Sequence, residues 1–390
     1  MKLSKLFPLF FFLLITVSTF GQSNYLNIGE NIHLLKDSLQ SEKLISSFEK
    51  FLESADADNK DNRYVLPSQD IETFILLDEI WKIRFSKRNY EEIVYKPYLN
   101  NIVAIEDNKF LIQVSYISIK DNEAVHRASF SLIAHPTGND FLYSSPLKRN
   151  TKNWKTYRAG NNVFFYKETI NKENVDAYNS YAKLFDKKLN ATNKTMDYYC
   201  CTDLPELLKL IGVDYKLDYN GREHSTFNSV IGDRKLIVSG KGDPEFNDFD
   251  VHDLWHSRLS LVKSRRAVNK HVDEACAYVY GGSWGISWEE IFLSFKEKVA
   301  SDKTIDWTEI KEQKLDFGES PEKHLIADYV VTALIVEELE AKQGFSAVWK
   351  LLDCGVYEKG NRNYYTVLEE LTGITKEEYN DYVWKLIKSK

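Results

Sequence analysis

After Pro244 the strand-like alternation of the preceding segment stops, and helix punctuation runs to the end of the chain. Asp243 stands before Pro244 and Ser320 before Pro321, each a capping side chain followed by the one residue that a first helical turn tolerates without its N–H. Gly281 with Gly282, Gly344, Gly355 and Gly373 fall where helices end, and Thr375 with Glu378 has the spacing of a capping box. Five or six helices are predicted for this stretch. Upstream of it the pattern predicts strand (Val163 to Tyr166), helix (Val175 to Leu189), strand (Met196 to Cys200), helix (Leu204 to Ile211) and strand (Lys235 to Ser239). Strands first and helices after imply an α+β domain over residues 155–390, with a short mixed sheet and a largely helical C-terminal part.

A second, smaller α+β domain is expected over residues 22–150. Helices are predicted near Glu42 to Leu52 and from Ile71 to Phe85, followed by strands in which Phe110, Ile112, Val114 and Tyr116, then Ala128, Phe130, Leu132 and Ala134, alternate with other residues as in an antiparallel sheet. Nothing in it gathers chemistry: His33, His126 and His135 are scattered, and no role is assigned to them or to the domain. The basic, turn-rich stretch from Lys148 to Lys155 marks the boundary.

The first 21 residues have the layout of a secretory signal: Lys2 and Lys5, an apolar run from Leu6 to Val17, then small residues to Gly21. That run is too short to span a bilayer, and no later stretch is long and apolar enough, so an exported, periplasmic or extracellular protein without a transmembrane segment is expected. Removing the two lysines takes the formal charge from −7 to about −9, which repels a phosphate backbone and argues against nucleic acid as a partner. An oxidising compartment would permit disulfides among Cys200, Cys201, Cys276 and Cys354, but a core of this size needs no staple, and buried free thiols are the simpler expectation.

Chemistry gathers in one place. His252 and His256 stand four apart on a predicted helix beginning near Pro244, so both imidazoles can reach one ion, while Val251, Trp255 and Val262 can face the core. Glu274 follows after 17 intervening residues, on a helix predicted from Val272 to Tyr280. Two neutral histidines and a carboxylate are the ligand set of a catalytic zinc with one position left open.

In this the chain resembles the gluzincins, the metallopeptidase group of thermolysin and aminopeptidase N, whose HExxH motif is separated from a ligand glutamate by 18 or 19 intervening residues. The spacing here is one residue short. Asp273-Glu274-Ala275-Cys276-Ala277 is similar to the Asn-Glu-Gly-x-Ala context of that third ligand, and Lys235 to Ser239 resembles the edge strand that precedes the metal helix and could pair with an extended peptide. Tyr329, on a helix predicted from Pro321 to Gln343, resembles the tyrosine that stabilises the oxyanion, with His324 as a second candidate donor. The resemblance implies Zn2+ held by His252, His256 and Glu274, and a peptide or protein substrate.

One departure bears on activity. Asp253 occupies the place of the glutamate that acts as general base, and its carboxylate is one methylene shorter. A retraction of roughly 1 Å in an oriented catalytic group can cost on the order of a hundredfold in rate. Two readings follow: peptide hydrolysis with Asp253 as a shortened base, or a zinc-binding peptidase relic that serves as an interaction module.

Overall fold

A computed structural model describes residues 25–84, 87–88, 91–92, 95–120, 122–138, 140–191, 195–320 and 323–390, so the expected leader lies outside the described residues. The chain divides into two compact units, residues 1–146 with 212–220, and residues 147–211 with 221–390. Both combine helices with a sheet.

In the first unit, α1 (Ser38–Glu53) and α2 (Asp70–Arg84) precede an antiparallel meander of β1 (Lys96–Ala104), β2 (Phe110–Lys120), β3 (Glu123–Thr137) and β4 (Asp140–Ser144). The period of two is obeyed: Ile112, Val114 and Tyr116 on β2 lie opposite Leu132, Phe130 and Ala128 on β3, all of them buried. Phe48 and Phe51 of α1 pack against Tyr143 of β4 with ring centroids 5.3 and 5.0 Å away. One strand of this sheet arrives from far along the chain. Val213–Lys216 pairs antiparallel with β3, and Lys216 closes a buried ion pair with Glu79 of α2 at 2.6 Å. Gly212 opens this return at φ +96°, where a Cβ would stand 2.3 Å from the Ser131 carbonyl oxygen. Four residues are too few to display a period, so nothing in the sequence pattern announced this strand.

The second unit holds a mixed sheet of β5 (Lys155–Ala159), β6 (Asn162–Tyr166), β7 (Thr195–Cys200), β8 (Ser225–Ile231) and β9 (Arg234–Gly240), in the spatial order β8, β9, β7, β6, β5. Strands β6, β7 and β9 are parallel, with α3 (Lys172–Leu189) crossing between β6 and β7 and α4 (Leu204–Ile211) following β7. Lys235 to Ser239 is therefore not an edge. It lies inside β9, paired with β7 on one side and with antiparallel β8 on the other, because the chain turns back tightly between Ile231 and Arg234. The edge strand on that side is β8.

The helical part comprises α5 (Val251–Leu259), α6 (Lys270–Gly281), α7 (Trp288–Lys298), a single turn at Trp307–Ile310, α8 (Ala327–Gln343), α9 (Phe345–Leu352), α10 (Arg362–Thr372) and α11 (Tyr379–Ser389). The helices are more numerous and shorter than the punctuation predicts. The helix expected from near Pro244 starts only at Val251: Phe246 sits in the left-handed region at φ +57°, and Asp250 takes the cap position, accepting from the backbone N–H of His252 at 2.8 Å. Likewise α8 begins at Ala327, and Pro321 lies outside the described residues. The Thr375 and Glu378 capping box forms as its spacing requires, Thr375 N–H donating to Glu378 Oε2 at 3.0 Å and Glu378 N–H to Thr375 Oγ1 at 3.3 Å. All four cysteines are free thiols. Among the described residues no helix is long and apolar enough to cross a membrane.

Candidate metal centre

Helices α5 and α6 carry the three residues singled out by the sequence, and a glycine sets how closely the helices approach. A Cβ on Gly281 would stand 2.5 Å from the His252 backbone nitrogen and 2.7 Å from the Val251 carbonyl carbon, so only glycine lets the end of α6 lie against the start of α5. Trp255 anchors the opposite face of α5, fully buried and edge-on to Phe185 of α3 with ring centroids 5.5 Å apart.

This crossing brings three donor atoms together. His256 Nε2 is 3.1 Å from His252 Nε2, and Glu274 Oε2 is 3.4 Å from the first imidazole and 3.6 Å from the second, counting from His252. Each imidazole is fixed through its other nitrogen. His252 Nδ1 donates to the Gly282 carbonyl at 2.8 Å, and His256 Nδ1 donates to Asp273 Oδ1, also at 2.8 Å. With Nδ1 of each ring so engaged, Nε2 is the atom each ring turns toward Glu274 Oε2, and on binding a metal ion each Nε2 would offer its lone pair to that ion. Tetrahedral ligands bound at about 2.0–2.1 Å lie about 3.3–3.4 Å from one another, and the observed triangle matches that spacing. The histidine and carboxylate donors, their convergence and their fixed tautomers fit a metal ion, and His252, His256 and Glu274 could hold one.

The electrostatics point the same way. Burial opposes a charge on His256, but its hydrogen bonds to Asp273 and Glu274 outweigh it and push the imidazole up to about 9. Glu274 is held well below the ordinary carboxylate range by both imidazoles, against the effect of its own burial. The site stabilises positive charge between its donors.

A supporting layer surrounds these donors that the motif alone did not disclose. Asp273, 1% exposed, accepts from His256, from Trp255 Nε1 at 3.1 Å and from Arg265 Nε at 2.6 Å. Arg265 also reaches Glu274 Oε1 at 3.1 Å, leaving Oε2 to the imidazoles. Asp273 was legible as a neighbour of Glu274 but its task was not, since Arg265 and Trp255 meet it only through the fold.

The other candidates stand apart from the donor triangle. Asp253 follows His252 on α5, yet its side chain is 62% exposed and pairs with Lys241 Nζ at 3.4 Å. Tyr329, in the first turn of α8, packs edge-on against Tyr278 and His271 with ring centroids 5.9 and 5.7 Å away. Burial and the charges of Glu274 and Asp328 raise its phenol well above the ordinary range, so it is an O–H donor at any working pH. Tyr278 of α6 lies between, its ring centroid 5.8 Å from that of His252 and its hydroxyl accepting from Ile326 N–H at 3.4 Å. Of the second donor candidate, His324, the imidazole pairs with Asp316 and is 61% exposed.

Asp253 and His256 both line a cavity of about 410 Å³ bounded by α5, by Thr226 and Asn228 of the β8 edge and by Lys235 and Ile237 of β9. An extended chain laid along β8 would run past this cavity and the donors beside it. Compared with protein-family models, with curated proteins and with solved structures, the chain matches none.

Proposed function

We propose that this protein is an exported, zinc-dependent peptidase-like hydrolase of the gluzincin type, with His252, His256 and Glu274 as metal ligands. The observation that carries the reading is the convergence of two Nε2 atoms and one carboxylate oxygen within 3.6 Å of one another, each imidazole locked through its Nδ1. A bound zinc ion would supply Lewis acidity there, polarising a substrate carbonyl and acidifying a water. The chain's own part is to position and to move protons. Asp253, at the mouth of the cavity and paired with Lys241, would have to turn its carboxylate inward to accept a proton from an attacking water and return it to the leaving amine, and the β8 edge offers backbone groups to hold the peptide extended. Tyr278 and Tyr329 form a hydroxyl-bearing wall on the His252 side, suited to donating to a developing oxyanion.

A second reading is favoured by one observation. The exposed carboxylate of Asp253 faces Lys241 rather than the donors, which is what a metal-holding binding module that has lost its base would retain.

One set of measurements separates them. Purified mature protein, whose N-terminal sequence should begin near Gln22, is expected to hold about one zinc per chain, lost in Glu274→Ala and His252→Ala. With zinc retained, Asp253→Asn abolishes peptide hydrolysis and Asp253→Glu raises it by about ten- to a thousandfold, since the longer side chain restores the reach. Wild type and Asp253→Glu both inert across a peptide library, with zinc bound, would leave the binding module. Protein that cannot be loaded with metal at neutral pH would remove both.

A further inference from the structure

Beside the donor triangle, β9 contributes a buried cation that no carboxylate answers. Lys235 and Ile237, two apart on the strand, share one face, and both line the cavity next to His256. Lys235 is 4% exposed. Of its three ammonium hydrogens, one goes to the Ser257 carbonyl at 3.1 Å and one to the Ser257 hydroxyl, and among the described residues no acidic group stands within ion-pair distance of it. Asp186, whose charge acts on Lys235, is already committed to a bidentate pair with the Arg258 guanidinium at 2.7 and 2.6 Å.

A lysine in such a place is costly. Burial, with the Arg258 charge added, pushes the ammonium down to about 7 despite the pull of Asp186. Lysines on solvated faces need no partner, but one that is desolvated, oriented by two hydrogen bonds and open to a cavity keeps a charge-assisted donor free for a ligand. The other walls agree with a side-chain-sized occupant. Phe246 and Tyr178, 3% and 5% exposed, give the cavity an aromatic side, and its 410 Å³ volume accommodates one or two residues of a peptide. Asp248, Asp250 and Asp253 also border it, but at the exposed lip, where water screens them and where Asp250 caps α5 and Asp253 faces Lys241. Of the lysines that line the cavity, Lys235 is the buried one, and Arg265 and His256 add positive charge on the side of the donors.

We propose that this cavity is a carboxylate pocket, in which Lys235 pairs with an anionic group of the substrate beside the metal ligands. That the substrate is a peptide rests on the function proposed above; the carboxylate preference does not. Two sources of the carboxylate share this chemistry, an acidic side chain and the free C-terminus of a short peptide.

Binding of three labelled probes to the metal-loaded mature chain separates them: N-acetyl-Ala-Glu-Ala-amide, N-acetyl-Ala-Gln-Ala with a free C-terminus, and N-acetyl-Ala-Gln-Ala-amide. One of the two carboxylate probes is expected to bind about ten- to a hundredfold more tightly than the amide, and which one identifies the source. Lys235→Met erases that preference, whereas Lys241→Ala, at the lip, leaves it. Equal binding of all three probes by the wild type overturns the proposal whether or not the variant folds. A preference that survives Lys235→Met overturns it as well, because the carboxylate would then be held elsewhere, on the metal included. Zinc content and hydrolysis are measured on the same samples, so failure of the peptidase reading and failure of the carboxylate pocket register separately.

Discussion

Two histidine–aspartate pairs sit on either side of α6, alike in parts and different in charge. His256 turns Nδ1 to Asp273, and His271, three residues before Glu274, turns Nδ1 to Asp328 of α8; the two aspartates are 1% and 2% exposed. Around Asp328 the balancing cation is built in: Lys311 Nζ lies 3.1 Å from Oδ1, with the Tyr364 ring centroid 3.8 Å from the ammonium. Burial would raise the Asp328 carboxyl, and Lys311 with His271 holds it below its ordinary value. Around Asp273 there is a second carboxylate, Glu274, and the two share the Arg265 guanidinium and the His256 imidazole. The first pair is balanced by a lysine, while the second is balanced from within by a proton on His256, which a bound cation could replace. The same side chains thus make a structural brace in one place and, in the other, a cluster that could hold a cation.

That contrast can be broken most severely at Lys311. Lys311→Met strands Asp328 in the core and is expected to lower unfolding free energy by about 3–5 kcal/mol, read by denaturant titration, while zinc per chain stays unchanged. Equal stability would show that Asp328 is neutralised some other way and that the two pairs are not opposites.

A smaller effect is expected at the other aspartate, because in the proposed zinc site Asp273 orients a ligand rather than being one. Asp273→Asn keeps the shape but weakens the grip on the His256 tautomer, and zinc affinity measured by competition with a chelator should fall by about 10–100-fold. Retention of full affinity would mean that Arg265 and Trp255, not the imidazole, are what Asp273 serves.

The smallest effect concerns Lys235, a buried cation that lacks the acid Lys311 has. Its pKa is depressed on folding, to about 7, so between that value and the ordinary lysine range the unfolded chain binds more protons than the folded one. Stability must therefore rise with pH across this window, by about 1 kcal/mol between pH 7 and pH 8. Lys235→Met should lack that increment when both proteins are unfolded at the two pH values. A wild type and variant that change in parallel would place the ammonium in contact with more water than its burial implies.

Much of the architecture was legible because local periodicity reports it. The alternation in β2 and β3, the capping pair Thr375 and Glu378, and the order of strands before helices each follow from which faces can be buried and which backbone groups need a partner. Two misreadings share a cause. Pro244 satisfies the rules of a helix start, but the chain folds through a left-handed Phe246 and starts the helix at Asp250, which offers the better cap. Lys235 to Ser239 reads as a strand, yet no strand carries in its own sequence whether one neighbour or two will pair with it, and β8 took the edge.

For the site, the sequence by itself determined which atoms could act together along one helix: His252 and His256 share a face because four residues make about one turn. It also determined that a carboxylate stood at a usable distance along the chain. Only the tertiary structure decided that Glu274 reaches them, since that depends on the close approach Gly281 allows between α5 and α6. The same holds for Asp273 behind His256, for Arg265 steering Glu274 Oε2, for Asp253 turned outward to Lys241, and for a lysine of β9 left unpaired in a cavity. Period and spacing are properties of a segment, whereas charge balance and burial belong to what surrounds it, and the surroundings here are assembled from residues far apart in the chain, such as Arg258 and Asp186, 72 positions apart.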